Sequence, residues 1–195
     1  TMVMGVGMAG IGFSVAHDAL HGAYAERAWV NRIVGYSFDL LGANGYMWKA
    51  THNIVHHTYT NIQGVDGDLE VSPYLRLSPR SAYRPIHRYQ HLYAFAAYSL
   101  STLVWVLLKD YKYFLRGEDG PYKGHRPSAV EVLTLVIGKI VYYGWAIVVP
   151  LLLLDIAWWQ VAIGFLVFHL TARLILGIIF QLAHVVEQTT HPQPD

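Results

Sequence analysis

Two long apolar stretches follow one another in the second half of the chain: Val132–Leu154, VLTLVIGKIVYYGWAIVVPLLLL, and Ala157–Phe180, AWWQVAIGFLVFHLTARLILGIIF. Each is long enough to cross the hydrocarbon layer of a bilayer as a helix. Only Asp155 and Ile156 separate them, shortly after Pro150, so the pattern predicts a tight helical hairpin that crosses the membrane and returns. This hairpin indicates an all-α integral membrane protein.

Composition agrees with that class. Of the 195 residues, 54% are hydrophobic and 14% are charged, which is too apolar for a soluble domain. The net charge of +1 gives no reason to expect a nucleic-acid partner, and the absence of cysteine excludes a disulfide framework. Twelve of the fourteen Lys and Arg residues lie between Arg27 and Arg126, so the positive-inside rule predicts that this region is cytoplasmic.

The remaining stretches complete the predicted organisation: a transmembrane helical stem, interfacial helices and a cytosolic cap that carries the histidine motifs. Residues 1–16 resemble the end of a membrane-spanning helix, residues 17–130 form a cytosolic or interfacial region, and residues 131–184 form the hairpin. Basic residues flank Leu92–Leu108 on both sides, which favours an amphipathic helix in the interface over a crossing helix. We expect residues 1–195 to be a single domain that is incomplete at both ends.

Two histidine motifs lie in the first part of the chain, His17-Asp-Ala-Leu-His21 and His52-Asn-Ile-Val-His56-His57. On a helix, residues four apart share a face, so each motif can present two imidazoles to one ion. His57 is predicted to face another direction, which suits a site with two metals. One such motif alone would be weak support, but two together favour metal binding. Because the ligands are histidine nitrogens and the chain has no cysteine, the candidate metals are iron, copper and zinc.

Other polar residues have two interpretations each. Lys139 and Arg173 are predicted at membrane depth, where a charge is costly. In the first interpretation they contact a substrate carbonyl or headgroup. In the second, which is favoured, they contact backbone carbonyls or extend to the membrane interface. His169 is interpreted as a hydrogen-bonded core histidine. His184 is predicted to emerge from the hairpin on the side that holds the histidine motifs.

Carboxylates near the motifs are weaker candidates. Asp18 could orient the imidazole of a neighbouring ligand. Asp66, Asp68 and Glu70 follow the second motif, and a solvated loop is slightly favoured for them over an orienting role.

His87 and His91 repeat the spacing of the first motif and are interpreted as interface or headgroup contacts.

The two motifs, the stretch from Gly42 to Asn61 and the segment Phe180-Gln-Leu-Ala-His-Val-Val-Glu187 resemble the membrane-bound fatty acid desaturases, most closely the front-end Δ6 type that acts on acyl-CoA or acyl lipids. The resemblance implies a four-helix membrane stem with a cytosolic cap and a non-haem centre of two iron ions. It also implies O₂ as co-substrate, electrons from cytochrome b5 or ferredoxin, and a fatty acyl chain bound in a bent tunnel.

Carried over position by position, the resemblance assigns six metal ligands: His17, His21, His52, His56, His57 and His184. Phe180 stands where the animal stearoyl-CoA branch has an asparagine that holds a metal-bound water, so no water ligand is assigned, and Gln181 beside it is only a weak supporting candidate. The family's third motif, Gln-x-x-His-His, is absent, so the remaining ligands are expected beyond Asp195.

Two alternative functions remain open at this stage. A fatty acyl or sphingolipid hydroxylase or an alkane monooxygenase would use the same centre, because hydroxylation and desaturation begin with the same hydrogen abstraction. A non-enzymatic membrane protein that binds a metal or haem is the second alternative. It would place paired histidines within the spans, whereas these motifs are predicted at the cytosolic ends.

Overall fold

The computed structural model describes residues 1–62, 65–66, 73–116, 118–119, 122–123 and 127–184, with the backbone alone at 116, 118–119, 122–123, 181, 183 and 184. Among these residues the fold is helical, apart from two-residue strands at Glu118–Asp119 and Tyr122–Lys123 that pair antiparallel. Four helices of the described part are long and apolar enough to cross a membrane. The predicted all-α membrane class is confirmed.

Helix α1, Met2–His21, ends in the first histidine motif. A π-helical segment at Ile11–Ala16 precedes the final turn, His17–His21. The helix stops at Gly22, whose φ of 79° lies in the left-handed region that glycine adopts without a steric penalty. The motif is therefore fixed at one end of a long apolar helix.

Three short helices lead from α1 to the second motif: α2 is Ala28–Gly35, α3 is Ser37–Leu40, and α4 is residues 45–56. Helix α4 starts with the α-helical turn Gly45–Trp48 and continues as a π-helix over Lys49–His56. The Asn44 side chain caps its start, because the amide oxygen accepts a hydrogen bond from the Met47 N–H at 2.9 Å.

Helix α5, residues 85–116, extends beyond the predicted interfacial helix Leu92–Leu108 at both ends. It contains a 3₁₀ turn at Pro85–Tyr89 and a π-helical segment at Trp105–Lys109. By length and composition it is a candidate membrane span. Near its C-terminus, however, Tyr113 packs in one buried cluster with Met47 and Ala50 of α4. The interfacial location stays a prediction.

Helices α6, Ala129–Leu153, and α7, Trp158–His184, form the hairpin that the two apolar stretches predict. Ser128 and Glu131 start α6 with reciprocal side-chain to backbone hydrogen bonds. A π-helical segment at Gly144–Val148 precedes Pro150, which has no N–H to donate to the preceding turn. Only 17% of the most apolar window of α6 is buried, so most of this helix presents apolar side chains outward.

Helices α1 and α7 run parallel and touch closely. A Cβ atom added to Gly5 would lie 2.7 Å from the Phe168 carbonyl oxygen and 2.7 Å from the Thr171 Cβ, so only glycine fits there. Met8 continues the contact in a buried cluster with Phe168 and Ala172. The two ends of the described chain are thus packed together along their length.

A buried ion pair connects α6 to the rest of the bundle. The Lys139 ammonium donates hydrogen bonds to Asp110 Oδ2 at 2.7 Å and to the carbonyl oxygens of Gly42 at 2.6 Å and Val106 at 2.9 Å. Trp105 Nε1 donates to the other oxygen of Asp110 at 2.9 Å. The interpretation of Lys139 as a partner of backbone carbonyls is confirmed, and the buried Asp110 carboxylate was not predicted.

Candidate metal centre

Both histidines of the first motif project from the last turn of α1. The ring centroids of His17 and His21 lie 4.5 Å apart, as expected for residues four apart on a helix. The His17 Nδ1 atom lies 3.1 Å from Asp18 Oδ1. This contact is the one predicted for Asp18, and it directs the opposite ring nitrogen, Nε2, away from the carboxylate.

The second motif occupies the π-helical part of α4. The His52 ring stacks on Trp48 with the centroids 4.4 Å apart and lies 5.0 Å from the His56 ring. The His57 N–H donates to the His52 carbonyl, five residues earlier, and the His57 ring lies 4.8 Å from the His52 ring. A π-turn, in place of an α-helical turn, brings the His57 ring to the side of His52. That His56 and His57 serve two different metals stays a prediction.

The two motifs meet. The His52 ring lies 5.7 Å from His17 and 5.6 Å from His21, and the His57 ring lies 5.0 Å from His21. One ring nitrogen from each of His17, His21 and His52 lies within 4.8 Å of the other two, which is close enough for all three to share one ion. We call the five histidines 17, 21, 52, 56 and 57 the histidine cluster.

A buried carboxylate holds His56. The His56 Nδ1 atom lies 3.0 Å from both oxygens of Asp66, and the Asn61 N–H donates to Asp66 Oδ2 at 2.8 Å. Asp66 is 1% exposed, so the interpretation of this residue as part of a solvated loop is wrong. Asp68 and Glu70 lie outside the described residues. A carboxylate on Nδ1 leaves Nε2 of the same imidazole to bind a metal.

The end of α7 approaches the cluster from the other side. The Phe180 ring lies 6.1 Å from the His17 ring and 6.3 Å from the His52 ring. His184 follows one helical turn after Phe180, at the last described residue of α7. The side chains of His184 and Gln181 lie outside the described part, so their predicted roles stay predictions.

An apolar cavity opens below the cluster. Residues of α1, α5 and α7 and of the segment before α4 line it. His17, Trp48 and Phe180 form the end next to the cluster. An apolar lining next to the histidines suits contact with an apolar part of a ligand.

Several other residues singled out in the sequence have structural roles. His87 is 8% exposed; its Nδ1 accepts from the Arg84 N–H at 3.0 Å and its Nε2 lies 3.0 Å from the Pro73 carbonyl oxygen. It therefore fixes the start of α5, and its interpretation as an interface or headgroup contact is wrong. His169 is fully buried, and its Nε2 bonds to the Tyr142 hydroxyl, which confirms a core histidine.

Apolar helices that bring histidines from two separate motifs to one end of a cavity define a helical membrane protein with a histidine-rich site. The model of the fatty acid desaturase family matches residues 1–195, so the chain belongs to the fatty acid desaturase family. The predicted family membership is confirmed.

Relatives with established names agree with this family. The chain is 31% identical over its whole length to the sn-1 linoleoyl-lipid 6-desaturase of Arthrospira platensis, covering 52% of that protein. It is 32% identical to the enzyme of the same name from Synechocystis sp., covering 54%. It is also 32% identical, over 98% of its length, to the acyl-lipid (8-3)-desaturase of Physcomitrium patens, covering 40%. The chain thus spans about half the length of the first relatives, and no solved structure matches it.

Proposed function

We propose that this chain forms part of a membrane enzyme that introduces a double bond into a fatty acyl chain, in a front-end, Δ6-like position and with O₂ as co-substrate. The observation that carries the proposal is the position of the histidine cluster at one end of an apolar cavity. The family and the desaturase names of its relatives support the same reaction.

The donor set suits two non-haem iron ions. The five imidazoles of the cluster would hold them, together with His184 and with ligands outside the residues described. Bound iron would supply the O₂-derived oxidant that an unactivated methylene requires and that side chains alone do not provide. In the overall reaction the acyl chain loses two hydrogen atoms. An electron donor supplies two further electrons, two protons are taken up, and O₂ is reduced to two molecules of water.

This chain's own residues prepare the site for that chemistry. Asp66 and Asp18 bind the Nδ1 atoms of His56 and His17 and thereby orient the opposite nitrogens. Trp48 stacks on His52 and fixes its ring plane. The apolar cavity would exclude water and align successive methylene groups below His17.

Substrate, electron donor and sidedness follow from the same proposal. The substrate is an acyl-CoA or a lipid-linked acyl chain, and the names of the relatives favour the lipid-linked form. Cytochrome b5 or ferredoxin would supply the electrons. Because basic residues concentrate between Arg27 and Arg126, the histidine cluster would face the cytoplasm.

The test is to express the full-length protein in a host with few polyunsaturated lipids, supply defined C18 acids, and locate new double bonds by gas chromatography–mass spectrometry. We expect a new cis double bond between the carboxyl end and an existing one, and none with His52→Ala. A hydroxylated product would replace the proposal with a hydroxylase. Bound iron and an added donor without any product would favour the non-enzymatic alternative.

A further inference from the structure

One position in the wall of the apolar cavity lacks a side chain. Among the described residues that line the cavity, Gly12 of α1 is the one glycine. If a Cβ atom were added to it, the nearest described atom outside the backbone of its own helix would be Leu176 Cδ1, at 4.0 Å. Because Leu176 lines the same cavity, a longer side chain at position 12 would extend into the cavity and not into packed protein.

Gly12 lies between the histidine cluster and the inner part of the cavity. His17, five residues later on α1, lines the end next to the cluster, and Met8, four residues earlier, lines the cavity on the other side of Gly12. At about 1.5 Å per residue, Gly12 is about 7 Å from the level of His17 and about 6 Å from that of Met8. Met8 is buried against Phe168 and Ala172 of α7, so the α1 wall ends there in packed protein.

The direction of α1 decides which part of an acyl chain would pass Gly12. Under the proposed function the histidine cluster faces the cytoplasm, and the polar end of the substrate stays near water on that side. Leu41, Leu176 and Met8 supply apolar walls away from the cluster. A chain that continues past His17 towards Met8 therefore does so with its methyl end.

We propose that Gly12 sets the chain-length selectivity of the cavity, because its missing side chain leaves room for the methyl end of an acyl chain beyond the carbons that lie at His17. The inference rests on the proposed function in taking an acyl chain as the ligand. It adds the residue that determines how much of the apolar end can be accommodated. Atoms added at position 12 would occupy that room, so long chains should be affected more than short ones.

Binding tests the inference without requiring turnover. The probes are tritiated myristoleic acid (C14) and oleic acid (C18), which share a cis double bond at carbon 9 and differ by four methylene groups at the methyl end. Leucine adds four carbon atoms at position 12 and so matches that difference. In a scintillation proximity assay on the full-length protein in detergent, we expect Gly12→Leu to bind oleic acid about tenfold or more weakly and myristoleic acid nearly as tightly as the wild type does.

The matched control is Gly10→Leu on the same helix. Gly10 is exposed, does not line the cavity, and has no atom within 4 Å of an added Cβ, so this variant should bind both acids as the wild type does. If Gly12→Leu binds oleic acid as tightly as Gly10→Leu does, the proposal is wrong. An equal loss for both acids also contradicts it. Should Gly12→Leu fail to fold, Gly12→Ala and Gly12→Val are expected to show a smaller change of the same kind, increasing with side-chain size.

Product analysis separates this inference from the proposed reaction. When both acids are supplied together to the expression host, we expect Gly12→Leu to shift the desaturated products towards C14, whereas Gly10→Leu keeps the wild-type ratio. If every variant desaturates both acids in the wild-type ratio, the reaction stands and the assignment of Gly12 fails. If the affinities change as expected but no variant forms a desaturated product, the proposed reaction fails and the assignment of Gly12 stands.

Discussion

The backbone N–H of His57 donates to the carbonyl oxygen of His52, five residues earlier. In an α-helix, two residues five apart point about 140° away from each other at 3.6 residues per turn. A π-turn brings them to one side, and both rings here lie near His21. The local helix type therefore decides that His52 and His57 of the second motif lie on the same side and join one cluster.

Replacing a cluster histidine should remove iron without unfolding the protein. We expect His52→Ala or His57→Ala to lower turnover more than 100-fold and to reduce bound iron, measured by elemental analysis of the purified full-length protein. His87→Ala is the control, because His87 is a buried histidine outside the cluster. It should lower the melting temperature and leave the iron content unchanged. Full iron occupancy in His52→Ala would contradict the assignment.

The carboxylate on His56 should affect metal affinity more than the carboxylate on His17. Asp66 is 1% exposed and contacts His56 with both oxygens, whereas the Asp18 side chain is 52% exposed and contacts His17 with one. We expect Asp66→Asn to weaken iron binding by about 10–100-fold, as for other carboxylates that orient a ligand histidine. Competition with a chelator measures this affinity. Equal effects of Asp66→Asn and Asp18→Asn would refute the ranking.

Removing one partner of the buried ion pair should be more damaging than removing both. Lys139→Met leaves the Asp110 carboxylate buried with no charge partner, so we expect a loss of about 3–5 kcal/mol in the free energy of unfolding. The double variant Lys139→Met with Asp110→Asn should recover much of that loss. Thermal unfolding of the four proteins in detergent completes the cycle. Additive effects of the two single changes would contradict the predicted coupling.

Stability should depend on the ionisation of Asp39. Burial raises the pKa of this carboxyl from 3.8 to about 6, against hydrogen bonds from the Gly45 backbone and the Asn44 side chain that favour the charged form. Because folding raises the pKa of Asp39, protonation of this carboxyl stabilises the folded state relative to the unfolded state. Stability is therefore full below pH 3.8 and declines as the pH rises to about 6.

The variant Asp39→Asn removes this titration. Above pH 6 we expect its free energy of unfolding to exceed that of the wild type by about 3 kcal/mol. This value follows from the rise of the Asp39 pKa from 3.8 to about 6, because a change of one in the pKa corresponds to about 1.36 kcal/mol. The gain should vanish towards pH 4. Chemical denaturation at several pH values gives the difference between the two proteins. A difference that does not change with pH would show that Asp39 has the same pKa folded and unfolded.

Two glycines of α1 offer a matched pair. A Cβ atom at Gly5 would meet Phe168 and Thr171 at 2.7 Å, whereas one at Gly7 would meet nothing within 4 Å. We expect Gly5→Ala to destabilise the protein by about 1–3 kcal/mol through overpacking. Gly7→Ala should be neutral or stabilise by up to about 1 kcal/mol through helix propensity. Comparison of the melting temperatures checks both, and equal values would show that α1 and α7 do not pack as described.

The sequence predicts the parts of this molecule that depend on short spacing. The hairpin of α6 and α7 follows from two apolar stretches, and the pairs His17 with His21 and His52 with His56 follow from a four-residue spacing. The approach of His57 to His52 could not be predicted, because periodicity assumes an α-helix and a π-turn has no comparable signal.

Partners that are distant in sequence were missed for a different reason. Asp66 lies ten residues after His56 in an acidic run that has the composition of a solvated loop, and only its burial shows its role. Lys139 and Asp110 are opposite charges in separate apolar stretches, and no local pattern pairs them.

The parallel contact between α1 and α7 constrains how the protein is made. Helix α1 ends at His21 and α7 begins at Trp158, so the ribosome needs on the order of 10 s, at about 5–20 residues per second, to pass from one to the other. During that time the glycine face at Gly5 has no α7 to cover it. Helix α1 must therefore wait in the bilayer or in the insertion machinery, and the cavity below the histidines closes only after α7 has been inserted.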